Sequence, residues 1–266
     1  MLRNIFARTL RAQWKPLAWW SAGLATLGLF MAMIYPSIKG MPDFNRLIES
    51  MPQPLIRAFV GQLSDFTSPA GFLSSELYYF MVPLMFLFYA VGQGAQATAH
   101  EEEQGTLDVL LSTPTPRWQV VVGKYSASIC GALLLGVMIW AGVILGGALV
   151  GADFPLGGVA AATLSAVLLA LAFGAWALAL GALSGSVKLA GGVMAAYAIC
   201  DYFLNALGPM VELLKPYQKF CLFYYYLGAD PINNGLKLLH VLILLGVAVC
   251  GVGVAVWAFQ RRDVRV

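Results

Sequence analysis

The stretch His100-Glu101-Glu102-Glu103-Gln104 comes within one residue of HExxH, the helical arrangement in which two histidines hold zinc and the adjoining glutamate acts as a base. Gln104 stands where the second ligand is required. The other histidine of the chain, His240, belongs to a distant apolar run and is expected at the opposite side of a membrane, and ligands so separated cannot share one ion. Paired glutamates with an arginine a turn later would suit a different intramembrane protease, yet no arginine occurs between residues 101 and 116. No GxxxxGK[ST] sequence is present to cradle nucleotide phosphates. Cys130, Cys200, Cys221 and Cys250 show neither CxxC nor histidine-paired spacing, so they read as small apolar packing residues rather than as disulfides or zinc ligands. The expectation is therefore not an enzyme: no catalytic residue, no metal site and no cofactor is assigned to this chain.

The carboxylates then need another role. At the C-terminal end of a helix, Glu101, Glu102 and Glu103 oppose a dipole that favours cations there, and an acidic cluster so placed requires partners. Gly105 suits a helix stop, Thr106 can cap a new short helix over Leu107 to Leu111, and Pro114 helps to end it. Thr115-Pro116 reads as an N-cap followed by proline at the first helical position. The short helix would expose Leu107, Leu110 and Leu111 beside Asp108 and the glutamates, a surface that a partner can receive.

The elements that carry this loop are dictated by lipid. The chain is 60% hydrophobic and 11% charged, with a mean hydropathy of +0.77, whereas a soluble domain carries roughly a quarter of charged residues. Charge is gathered between long apolar runs, each near the ~20 residues that a bilayer core needs. Five runs are uncharged: Pro16 to Ile38, Leu77 to Ala99, Tyr125 to Ala152, Phe154 to Val187 with a loop at Pro155-Leu156-Gly157-Gly158, and Leu238 to Gln260. A sixth, Leu189 to Leu207, contains Asp201, which could contact a substrate or pair with Lys215. The expected fold class is all-α: a polytopic membrane protein, a six-transmembrane-helix bundle forming one transmembrane domain over residues 1–266. The first run begins too late, and is too long, for a cleavable signal peptide. The net charge of +3 does not point to nucleic acid, because the basic residues flank the apolar runs.

Ten of the 16 Lys and Arg residues fall in the segments that are cytoplasmic if the N-terminus is, which places both termini inside. Residues 1–15 show helical period with a basic face (Arg3, Arg8, Arg11), the pattern of an interfacial helix. Residues 40–75 form an outer loop of proline-broken pieces, and residues 100–118 a cytoplasmic segment. Residues 208–235, crowded with Tyr217, Phe220, Phe223, Tyr224, Tyr225 and Tyr226, read either as an interfacial belt or as an outer re-entrant segment over the mouth of a transport path. Small residues recur four apart at Gly142/Gly146, Gly147/Gly151 and Gly181/Gly185, as close helix packing permits.

The cytoplasmic segment resembles the first cytoplasmic loop of the permeases of type 2 ABC exporters: glutamates, then Gly-Thr-Leu, Leu-Leu, Ser-Thr-Pro and a basic residue. The matching positions are Glu101, Glu102, Glu103, Gly105, Thr106, Leu107, Leu110, Leu111, Ser112, Thr113, Pro114, Arg117 and Lys124. In that family the loop is a coupling helix that docks on the nucleotide-binding subunit, and an amphipathic N-terminal helix lies at the same interface. The resemblance implies that ATP and Mg are bound by a separate ABC ATPase subunit. It also implies a second permease subunit, as a homodimer or heterodimer, in the plasma (inner) membrane. A secondary transporter or channel would instead show ionisable residues along an ion route or internal repeats, and this chain offers Asp201 and no repeat. A non-transporting membrane scaffold or sensor would lack the ATPase companion.

Overall fold

The computed structural model describes residues 2–39, 68–105, 116–208 and 211–261. The chain is an all-α polytopic membrane protein with six helices long and apolar enough to cross a bilayer. These are α1 (Leu2–Lys39), α2 (Pro69–Glu103), α3 (Arg117–Val150), α4 (Leu156–Ser184), α5 (Val187–Leu207) and, last, α8 (Leu238–Arg261). Between α5 and α8 lie a 3-10 turn at Tyr217–Phe220 and the short helices α6 (Leu222–Leu227) and α7 (Pro231–Asn234).

The bundle is built around α4. In its most apolar stretch 83% of residues are buried, against 28% for α1, α5 and α8. Successive spans alternate in direction, so one end of the bundle gathers Glu103, Arg117, Val187 and Arg261, and the other gathers Lys39, Pro69, Leu156, α6 and α7. Lipid gives apolar side chains no reason to prefer the interior, so close approach depends on small residues. A Cβ on Gly142 would overlap the carbonyl of Ala25, one on Gly146 would stand 2.6 Å from the carbonyl of Leu29, and one on Gly28 of α1 would stand 2.7 Å from the carbonyl of Ile139, so the α1–α3 contact rests on glycines of both helices. Gly94 of α2 meets the backbone of Gly174 of α4 in the same way. Gly151 and Gly185 play a different part from the packing expected of them: at φ 65° and 66° they end α3 and α4 in the left-handed conformation.

Three boundaries differ from the sequence reading, and so does the placement of the cysteines. The expected interfacial helix over residues 1–15 is helical but not separate, since α1 continues through Pro16 without a break. The outer loop expected over 40–75 ends early. Ser68 accepts a hydrogen bond from Gly71 N at 3.1 Å and Pro69 takes the first helical position, so α2 starts there and Glu76 lies inside it. Residues 40–67 lie outside the described residues. At the other side of the bundle α4 begins at Leu156, leaving a connection of only Gly151 to Pro155. Gly157 and Gly158, expected in a loop, lie within the helix, and the backbone of Ile232 comes so close to Gly158 that no side chain would fit there. Three of the four cysteines, Cys130, Cys200 and Cys250, are exposed on the outer faces of the spans, and only Cys221 is buried. The packing role expected of them fails for the three because a lipid-facing surface is as apolar as a core.

Candidate functional site

The acidic cluster at the end of α2 finds partners within the chain. Glu101 Oε1 stands 2.7 Å from Nζ of Lys124 on α3, and that buried ammonium also donates to the carbonyl of Ala97 at 2.5 Å. A cation in the apolar part of a bundle is stable only when paired and hydrogen-bonded, and Lys124 is both. Glu103 Oε1 accepts from the backbone N–H of Val187 at 2.9 Å. Val187 opens α5, so the carboxylate satisfies one of the unpaired amides of that helix and sits at the positive end of its dipole. Ser186 adds a second cap, accepting from Leu189 N at 3.4 Å.

Gly105, at φ 65°, ends α2 as expected. On the far side of the segment α3 begins at Arg117, with Pro116 at the N-cap, one residue later than the sequence suggests. Arg117 Nη1 donates to the carbonyl of Phe259 on α8 at 3.3 Å. The residues that bracket the loop are therefore tied to three different spans: Glu101 to α3, Glu103 to α5 and Arg117 to α8. Thr106, Leu107, Asp108, Leu110 and Leu111, the body of the expected short helix, lie outside the described residues.

Asp201, buried near the opposite end of α5, has a different partner from Lys215. Its two carboxylate oxygens accept from the backbone N–H of Leu222 at 3.0 Å and of Phe223 at 2.9 Å, the first two residues of α6. Helix α6 is thereby sunk among the spans. Asp201 lies about 9 Å before the end of α5, at ~1.5 Å per residue. The α4 residue that binds α6, Ser165, lies about 14 Å inside its own helix by the same measure. Ser165 donates to the carbonyl of Tyr226 at 3.0 Å. Tyr226 donates to the carbonyl of Tyr78 at 2.6 Å, in the stretch Leu73–Met81 where α2 widens into a π-helix. Phe223 and Tyr226 are buried, and Phe223 packs edge-on against Tyr202 of α5 with ring centres 5.3 Å apart. Beneath α6 lies a cavity of about 10 Å³ bordered by Ser165, Tyr226, His240 and Leu244, room for a single water.

His100 and His240 end up at opposite ends of the bundle, and His240 Nδ1 meets the carbonyl of Tyr225 at 3.1 Å. Three of these contacts had no signal in residue type. The partners of Glu103 and Asp201 are main-chain amides, and the π-helical stretch that receives Tyr226 has no sequence mark. The Lys124 pair had only a weak signal: in sequence Lys124 flanks the apolar run that begins at Tyr125, and it becomes buried because α3 starts two turns earlier, at Arg117.

A search of curated proteins finds no match to this sequence. The model of the ABC-2 family of transporter proteins matches residues 21–264, nearly the whole chain. The two tethered ends and the six spans thus belong to a membrane permease, and the chain is a member of the ABC-2 transporter family.

Proposed function

We propose that this permease couples ATP hydrolysis by a separate ABC ATPase subunit to export of a substrate, with residues 101–117 as the docking segment. The observation that carries the reading is the bracketing of that segment by Glu101, Glu103 and Arg117, each tied to a different span. A load applied between residues 105 and 117 reaches α3, α5 and α8 at once. Family membership implies the ATPase companion. Leu107, Asp108, Leu110 and Leu111 would meet its surface, while Glu102 and the basic face of α1 at Arg8 and Arg11 border the same end. ATP and Mg belong to that subunit, and this chain supplies no catalytic group.

The permease acts in this reading as one of two subunits, identical or not, in the plasma (inner) membrane with both termini cytoplasmic. Support comes from α5. Gly192 and Ala196 lie one turn apart on its exposed face, with open space in front of Gly192. Small residues at that spacing suit a second helix. A transport path then forms between subunits rather than inside the packed core of one, and the sunken aromatic helix α6 caps its outer mouth.

The test is co-purification of the full chain with a Walker A protein from native membranes. Leu110→Ala combined with Leu111→Ala should lose that protein while the tethers at Glu101 and Glu103 stay intact. Retention of the ATPase by this variant would refute the docking role. Cysteine labelling checks the orientation: residues 208–235 should react from outside and residues 101–117 from inside, and the reverse pattern would overturn it.

A further inference from the structure

We infer that α5 is a rigid link between the end of α2 at Glu103 and the aromatic helix α6, with Glu103 and Asp201 as the positioning residues that hold its two ends. At one end the Glu103 carboxylate is aimed at the first amide of α5, 2.9 Å from Val187 N. At the other, Asp201, itself part of α5, grips the first two amides of α6 at 3.0 and 2.9 Å. Between Val187 and Asp201 the helix is unbroken and contains no proline, a span of about 21 Å at ~1.5 Å per residue.

The sides of α5 are held differently from its ends. Inward it buries only a stripe of Ala190, Met194, Tyr202 and Ala206 beside Asp201. Apolar contacts of that kind exchange for lipid at little cost, because hydrocarbon solvates them as well as a neighbouring helix does. The end contacts are directional. Asp201, buried, would be left unsatisfied if it parted from the amides of α6. Glu103, at the exposed end, is the cap that orients the first amide of α5, a bond that water replaces only with loss of the cap. A displacement of the Glu103 end is therefore passed along α5 and delivered to α6 more readily than it is absorbed by sliding. The link uses the proposed docking of residues 101–117 only for the source of the displacement; the connection itself requires neither ATPase nor substrate.

Hydrogen exchange of the full chain in lipid nanodiscs, without ATPase or substrate, tests the link. Glu103→Ala should speed exchange at the start of α5 and also, by about 5-fold, the factor that a lost helix cap represents, across Leu222–Leu227 of α6. Glu103→Gln keeps an acceptor oxygen and should leave α6 close to wild type. Asp201→Ala should speed α6 by itself, and adding Glu103→Ala to it should speed α6 no further. Exchange in α4 reports whether the fold survives. If α4 also loosens, Ser186→Ala, which removes only the second cap, should give the same pattern at about 2-fold.

A Glu103→Ala protein with a disturbed α5 start and an α6 at wild-type rates would overturn the inference. So would a full additional effect of Glu103→Ala in the Asp201→Ala background. Neither result bears on co-purification with the ATPase, so failure of the link and failure of the docking reading are told apart.

Discussion

The phenol of Tyr226 donates to the main-chain carbonyl of Tyr78 across 2.6 Å, pinning a helix of six residues to the π-helical stretch of α2. The donor order around this contact is fixed. Thr163 gives its proton to the carbonyl of Val159 at 2.8 Å, so in the 2.7 Å contact between Tyr78 and Thr163 the Tyr78 phenol must donate. Ser165 gives its own proton to the carbonyl of Tyr226. Three segments distant in sequence are thus closed by a chain of bonds in which each hydroxyl has one defined task. Inside an apolar bundle the alternative to each bond is an unsatisfied group, which makes the chain selective for one arrangement.

Tyr226→Phe removes one donor and leaves the ring packing in place. Burial of the unpaired Tyr78 carbonyl should lower stability by about 1–3 kcal/mol. The effect should be local, so limited proteolysis should open the segment from 211 to 237 before the spans unfold. Wild-type melting and wild-type protease resistance together would show that the contact holds nothing.

The pair between Lys124 and Glu101 makes an asymmetric prediction. Glu101→Ala leaves a buried ammonium with only the Ala97 carbonyl beside it, and should cost about 3 kcal/mol. Lys124→Met leaves a carboxylate on a side chain that is 28% exposed and can hydrate, so its cost should be smaller. Lys124→Met in the Glu101→Ala background should restore most of the loss, as read by denaturant unfolding in detergent. A double variant no more stable than Glu101→Ala alone would mean that the ammonium is not the source of the penalty.

How much of this was legible follows from what lipid hides. The six spans could be read because charge is excluded from them, and the stop at Gly105 because a glycine after a helix end has one common use. Gly142 and Gly146 could be read as a contact surface because small residues are the only marker of helix approach when every face is apolar. The same uniformity concealed the inward faces: Cys130, Cys200 and Cys250 sit in apolar runs yet point outward. Asp201 was conspicuous as a charge but its partners were not, since a backbone amide carries no residue type. Glu103 was conspicuous for the same reason, and its bond to Val187 crosses 84 positions of sequence.

Two glycine substitutions separate packing from propensity. Gly142→Ala sets a methyl against the carbonyl of Ala25 and should loosen α1 from α3, at about 1–3 kcal/mol. Within a single subunit Gly192→Ala enters open space, so in detergent that keeps the subunits apart it should be neutral or stabilising by up to ~1 kcal/mol, because alanine is the better helix former. Unfolding midpoints of the two variants in the same detergent compare them directly. Equal losses would show that helix propensity, and not close approach, sets the need for glycine at 142. A loss confined to Gly192→Ala where the subunits stay together would instead place a partner helix on that face.

Cys221 offers a readout of α6 that depends on pH. The thiol is 1% exposed at the N-cap of the helix. Burial, and after it the negative charge of Asp201, push its pKa from 9.0 up to about 12. Only the thiolate reacts with maleimide, so the labelling rate should climb steadily between pH 8 and pH 10.5 with no plateau, where an ordinary thiol would level off. The sign for stability is the same: the neutral thiol favours the folded state fully below pH 9, and that contribution is lost as pH rises toward 12. Replacing Cys130, Cys200 and Cys250 with alanine leaves Cys221 as the single target. Asp201→Asn removes the neighbouring charge and should shift the curve to lower pH. A plateau near pH 9 in the protein with Asp201 intact would mean that the thiol meets water, and that α6 does not stay sunk between α4 and α5.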